Sequence, residues 1–131
     1  MNADNWTAKH FAPHEMACKC CGALDMNDHF MGMLDNLREE VCMPVIINSG
    51  YRCPKHNAEI GGSKNSAHLE GKAADIRVGG HHAATLLYHA FNLGFKGYGI
   101  KQNGPFERRF IHLDTASDEP GRPRDWVWSY K

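Results

Sequence analysis

Between residues 24 and 42 the apolar side chains Phe30, Met33, Leu34, Leu37 and Val41 recur at three- and four-residue spacing. That period gives a helix one continuous apolar stripe, so the rest of the chain must supply a surface that covers it. Asp25 or Asn27 is placed to cap its start, and Pro44 stops it. A second long helix is predicted over about residues 81–92, with Leu86, Leu87 and Phe91 turned inward and Gly94 as terminator. A short helix over 54–60 opens on Pro54 and ends at Gly61-Gly62. Residues 63–71 are polar and glycine-bounded, hence a loop. Short runs at 45–48, 73–78, 97–100 and 109–114 read as strands, with the Asn103-Gly104-Pro105 turn between the last two and a final strand around Trp126, Val127 and Trp128. Helices packed beside a small, mostly antiparallel sheet make an α+β fold.

A chain of 131 residues with 42% hydrophobic content suits a single domain over 1–131 with a core of its own. No internal repeat, low-complexity tract or linker divides it. Fifteen basic residues balance fifteen acidic ones, which removes the electrostatic argument for a nucleic-acid partner. No apolar run approaches the roughly 18 residues that span a bilayer, so stable membrane insertion is not expected. The amino-terminal residues carry no greasy segment of the kind a secretory leader needs. Five cysteines are an odd count that forbids complete internal pairing. Cys18, Cys20 and Cys21 cluster, and three readings of them stand side by side: reduced thiols, one disulfide to Cys53, or a structural metal.

The segment Ser66-Ala67-His68-Leu69-Glu70-Gly71-Lys72-Ala73-Ala74-Asp75 is the sharpest chemical signal. Imidazole and carboxylate are good zinc ligands, and both lie where a polar loop meets a buried strand. Gly71 permits the tight turn that folds His68 back toward Asp75, while Ala73 and Ala74 leave space. A carboxylate in an otherwise apolar strand needs a compensating partner, and a cation provides one. On the strand Phe110-Ile111-His112-Leu113-Asp114, His112 and Asp114 share one face. Two histidines and one aspartate would leave a tetrahedral zinc one open position, as hydrolytic sites require. The bland alternatives are that each histidine is a surface or satisfied core residue and that Asp75 caps a turn.

Three segments in order, Ser49-Gly50-Tyr51-Arg52-Cys53-Pro54-Lys55-His56-Asn57, then Ser66 through Ile76, then Phe110 through Thr115, resemble the zinc D-alanyl-D-alanine carboxypeptidase and endolysin family, M15, in its compact phage and bacterial envelope branch. The resemblance covers roughly residues 10–128. It implies a Zn2+ site on His68, Asp75 and His112, a peptidoglycan stem peptide as substrate, and action at the cell wall or periplasm. It also implies that Arg52 positions a substrate carboxylate, which a guanidinium can clamp with two parallel hydrogen bonds.

The chain departs from that pattern at one place. Many relatives carry a glutamate or related acid three residues before the last histidine ligand, where this chain has Arg109, and a guanidinium cannot accept a proton. Asp114 and Glu107 are the remaining candidates for proton transfer. Asp114 is preferred for its place on the ligand face, with orientation of His112 as its alternative role. Ser66 either meets substrate or holds the loop, and Tyr98 either lines the cleft or packs. The expected activity is zinc-dependent hydrolysis of stem-peptide amide bonds, as a carboxypeptidase or endopeptidase. The alternative is a non-catalytic zinc-containing module that binds cell wall or protein.

Overall fold

In the computed structural model, which describes residues 1–131, the chain runs through α1 (Pro13–Met16), α2 (Asp28–Val41), β1 (Ile46–Ser49), α3 (Pro54–Glu59), β2 (Ala73–Arg77), α4 (Gly80–Leu93), β3 (Gly97–Lys101), β4 (Phe110–Asp114) and β5 (Trp126–Ser129). Of the two cap candidates, Asn27 is the one used: its side chain accepts from Phe30 N at 2.9 Å and so satisfies a first-turn donor. α2 ends at Cys42, in the left-handed conformation, two residues before Pro44. Pro54 opens α3 behind a Cys53 cap. The loop over 63–71 holds one 3-10 turn, Ala67–Glu70, capped by the Ser66 hydroxyl and closed by Gly71 with φ 67°.

The five strands lie in the order β1-β2-β4-β3-β5. The first three contacts are antiparallel, and β5 joins β3 in parallel. Alternation along the strands sorts the side chains onto two faces. Ala74, Ile76, Tyr98, Ile111 and Leu113 belong to the core, with Phe30, Leu34 and Leu37 of α2 and Leu86 and Ala90 of α4. Asp75, His112 and Asp114 alternate with them on the opposite face, beside a small alanine cluster of Ala67, Ala73 and Ala116. The apolar stripe of α2 is buried as the spacing predicts, with Met31 joining it and Met33 at its margin.

One inward assignment on α4 does not hold. Phe91 is half exposed, and its ring rests on Tyr98 with centroids 4.3 Å apart. Ala90, four residues after Leu86, takes the inward place, and Phe91 lies about 100° further round the helix. The buried Asp35 accepts hydrogen bonds from Lys9 N and His10 N, at 2.8 and 3.0 Å, and so fastens the amino-terminal segment to α2. No helix is long and apolar enough to cross a membrane.

Candidate metal centre and cleft

Asp75 on β2 stands directly opposite His112 on β4. The 3-10 turn after Ser66 brings His68 against the same pair, and all three side chains are buried. One ligand atom from each falls within 4.8 Å of the others. His112 Nδ1 is 3.0 Å and His68 Nε2 3.3 Å from Asp75 Oδ1.

The outer nitrogens of the two rings decide what the inner ones carry. His68 Nδ1 lies 2.7 Å from the carbonyl oxygen of Gly50. A carbonyl only accepts, so Nδ1 bears the hydrogen, and Nε2 is a lone pair aimed at a carboxylate oxygen. Nε2 is correspondingly buried without a hydrogen-bond partner, despite its 3.3 Å approach to Asp75. His112 Nε2 lies 2.6 Å from Asp114 Oδ2 and donates to it, which turns Nδ1 inward. Two imidazole nitrogens and a carboxylate oxygen thus converge with at most one proton among them. That donor set fits a zinc ion, which replaces the missing hydrogens and takes N and O ligands of this kind.

Charge follows the same geometry. Burial works against the charged His112 ring, but hydrogen bonds to Asp114 and Asp75 outweigh it and push the ring up to about 9. Burial holds His68 below its ordinary value, with Asp75 opposing. Desolvation pushes the Asp75 carboxyl up, yet the neighbouring His68 and the hydrogen bond from His112 hold it below the usual carboxylate range. Without metal the single negative charge of Asp75 is therefore balanced by the proton on His112, the charge that a bound cation would replace.

Supports surround the triad. Arg52 Nη2 donates to Asp75 Oδ2 at 3.1 Å, while its Nε donates to Ser49 Oγ at 3.1 Å. Arg124 donates to both oxygens of Asp114, at 3.0 and 2.8 Å, and Ala116 N donates to Oδ1 at 3.1 Å. Against the desolvation cost of full burial, His112 and Arg124 hold Asp114 ionised, down at about 2. Room for this carboxylate comes from β3: a Cβ on Gly97, its cross-strand neighbour, would lie 2.2 Å from Asp114 Oδ2.

The family description Peptidase M15 matches residues 9–114 of the chain. This chain belongs to the peptidase M15 family. A zinc D-Ala-D-Ala carboxypeptidase of Streptomyces albus G is 38% identical to this M15 chain over 52 residues. That stretch is 40% of the chain and spans 20% of the relative's own length. The relative's name specifies zinc, and the His68, Asp75 and His112 donors described above are of the kind that zinc takes.

In this M15 domain the triad lies in a cleft of about 500 Å³. Arg52, His68, Asp75 and His112 line it, with Ser66 at the loop and Phe110 on β4. Two expected groups stand elsewhere. Glu107 is exposed in the 3-10 turn Phe106–Arg108 and does not line the cleft. Asp114 lies behind His112 with no exposed side-chain surface. Ser66 accepts from His68 N at 3.3 Å and holds the loop. Tyr98 packs in the core, its hydroxyl donating to Phe95 O at 2.5 Å. Arg109 turns its Nε to Gly104 O at 2.9 Å and braces the turn before β4.

Sequence reasoning missed what the tail contributes. Arg122, Arg124, Trp126, Trp128 and Tyr130 all line the cleft. The Trp128 ring lies 5.1 Å from that of His112, with the Arg124 guanidinium 4.9 Å over Trp128. The available signal was a basic or aromatic residue at every second position over 122–130, a pattern without meaning until β5 is known to pair with β3.

Proposed function

We propose that this domain is a zinc-dependent peptidase that hydrolyses amide bonds in peptidoglycan stem peptides, as a carboxypeptidase or an endopeptidase, at the bacterial cell wall or periplasm. One observation carries the reading: His68 Nε2, His112 Nδ1 and Asp75 Oδ1 converge, short of hydrogens, in an open cleft. Zinc, when bound, supplies a Lewis acid that makes water nucleophilic near neutral pH and polarises a carbonyl.

The chain's own residues supply the rest. Gly50 O and Asp114 hold the outer ring nitrogens, so both imidazoles present lone pairs in one fixed orientation. Arg52 holds Asp75 by one nitrogen, and its Nη1 makes a longer 3.5 Å contact to Asn57 Oδ1. That weakly engaged Nη1 is the group suited to a substrate carboxylate or to a developing oxyanion. Trp128, Tyr130 and Phe110 give the cleft an aromatic wall against which a peptide can exclude water. Asp114 acts through His112 as a positioning residue, because its oxygens are already filled by His112, Arg124 and Ala116 N.

A specific observation favours the second reading, a non-catalytic zinc module. The only carboxylate lining the cleft is Asp75, and it is engaged by Arg52 and both histidines. Digestion of defined stem peptides, with mass analysis of the products and a metal-free control, separates the two. Zinc-dependent loss of a terminal residue identifies a carboxypeptidase, and zinc-dependent internal cleavage an endopeptidase. Zinc-loaded protein that binds the peptides and leaves them intact identifies the module.

A further inference from the structure

We propose that Cys18, Cys20, Cys21 and Cys53 form a second metal site, a four-thiolate structural centre for Zn2+ separate from the histidine triad. The four sulfurs come from two segments more than thirty residues apart in sequence, yet all lie within 4.8 Å of one another. Cys18 Sγ is 3.7 Å from Cys20 Sγ, which is 3.5 Å from Cys53 Sγ. A tetrahedron of sulfurs each about 2.3 Å from zinc has edges of roughly 3.8 Å. The thiols are therefore already spaced as ligands around a common centre, and none is bonded to another.

The local backbone is built for thiolates. Cys53 N donates to Cys18 Sγ and His56 N to Cys53 Sγ, both at 3.4 Å. Such N–H donors stabilise an anionic sulfur more than a neutral thiol. The loop that carries three of the ligands is tightly closed: Cys18 N donates to Ala23 O at 2.7 Å and Gly22 N to Cys18 O at 2.8 Å. Gly22 supplies the left-handed turn, with φ 75°. Cys20 and Cys21 are exposed, which gives an ion its entry path, whereas Cys18 is buried.

A metal accounts for the cysteines better than a disulfide does. A Cys20–Cys53 bond would leave the buried Cys18 and its neighbour Cys21 idle. A four-thiolate centre uses all four and leaves out Cys42, which lies at the end of α2 with its thiol on Glu39 O. It also resolves the odd count. The Cys-x-Cys-Cys spacing is unlike the paired Cys-x-x-Cys knuckles because one segment supplies three ligands and the other only one.

The centre would brace the catalytic triad from behind. Cys53 follows Arg52, the partner of Asp75 Oδ2, and lies three residues after Gly50, whose carbonyl orients His68. Tyr51 N donates to Met16 O at 2.8 Å, and a Cβ on Gly50 would lie 2.8 Å from the Met16 backbone. Fixing residues 18–21 to Cys53 therefore clamps this close approach and the turn that both supports depend on.

The test is metal stoichiometry by native mass spectrometry on the full chain, purified under reducing conditions and supplied with zinc. Wild type is expected to hold two zinc ions. His68→Ala/His112→Ala is expected to keep one, and cobalt in its place to give thiolate-to-metal charge-transfer absorption. Cys20→Ser/Cys21→Ser is expected to lose the absorption and one of the two ions. Should that variant fail to fold, wild type and the histidine variant still decide the matter. A single zinc in wild type with none in the histidine variant would overturn the proposal. So would a chain lighter by two hydrogens and cross-linked between Cys20 and Cys53 under those conditions.

Discussion

Asp75 and His112 are direct cross-strand partners, and their facing atoms, Oδ1 and Nδ1, are 3.0 Å apart. Register alone sets this meeting. A one-residue slip between β2 and β4 would turn His112 into the core and bring Ile111 or Leu113 to the ligand face. The buried alternation of Ala74, Ile76, Ile111 and Leu113 prevents the slip. The hydrophobic core and the candidate metal donors are thus specified by the same pairing.

Asp114→Asn is expected to weaken zinc affinity and lower turnover, each on the order of ten- to a hundredfold, because a neutral amide accepts more weakly from His112 Nε2–H and sets an NH2 against one of the donors the carboxylate now satisfies. Glu107→Gln, outside the cleft, is expected to stay close to wild type. Zinc titration beside stem-peptide kinetics checks both. Full zinc affinity with turnover abolished in Asp114→Asn would instead make Asp114 a proton-transfer group, and a larger loss in Glu107→Gln would move that role to Glu107.

Arg52→Ala is expected to lower kcat/KM by on the order of a hundredfold while zinc-loaded protein is still obtained. Arg52→Lys should not restore it, since one ammonium cannot serve Ser49, Asp75 and a substrate group in fixed directions. Steady-state kinetics on zinc-saturated variants is the check. Wild-type kinetics in Arg52→Ala would remove this residue from the mechanism.

The metal-free protein should carry its extra proton on His112. A folded-state value of about 9 lies above the unfolded value of about 6.5. The resulting stabilisation is complete below about pH 6.5 and is lost as pH rises through about 9. Asp114, held down at about 2 by His112 and Arg124 against burial, contributes in the opposite sense: its share is lost as pH falls toward 2. Ring 15N spectra at pH 7 are expected to show both His112 nitrogens protonated without zinc and Nε2 alone protonated with it. A neutral His112 in the metal-free protein would contradict this.

Gly97→Ala is expected to destabilise the fold by about 1–3 kcal/mol, because the added methyl meets the Asp114 carboxylate in a packed sheet. Gly32→Ala is the control: it lies in the exposed face of α2 with nothing within 4 Å of the new methyl. There the replacement should stabilise by roughly 0.5–1 kcal/mol. Denaturant unfolding of both variants measures the pair, and equal effects would show that the Gly97–Asp114 approach does not matter.

The α+β architecture was legible because its signals are local. The stripe on α2, the proline that opens α3 and the short apolar runs of the strands each report on neighbouring residues. His68 and Asp75 were legible because a glycine loop and small residues join them locally, and His112 because strand parity and the family resemblance marked it; the pairing of β2 with β4 then sets it opposite Asp75. Less legible was whatever depends on tertiary closure. Nothing in the spacing of Arg124 shows that it reaches back ten residues to Asp114, or that the Trp128 ring packs against that of His112. Both follow from the parallel return of β5 beside β3, a pairing with no local pattern. Phe91 misled for a related reason, since the buried line of α4 runs through Ala83, Leu86 and Ala90, and alanines carry too little apolar bulk to mark that line in the sequence.

Zinc dependence of hydrolysis tests the central claim most directly. Chelator-stripped protein is supplied with measured equivalents of zinc and assayed on a defined stem peptide, beside folded His68→Ala and His112→Ala variants. No cleavage is expected without metal, activity should rise with zinc bound at the His68, Asp75 and His112 centre, and neither variant should cleave. Cleavage that persists in stripped protein, or in a folded variant unable to hold zinc at that centre, would contradict the claim.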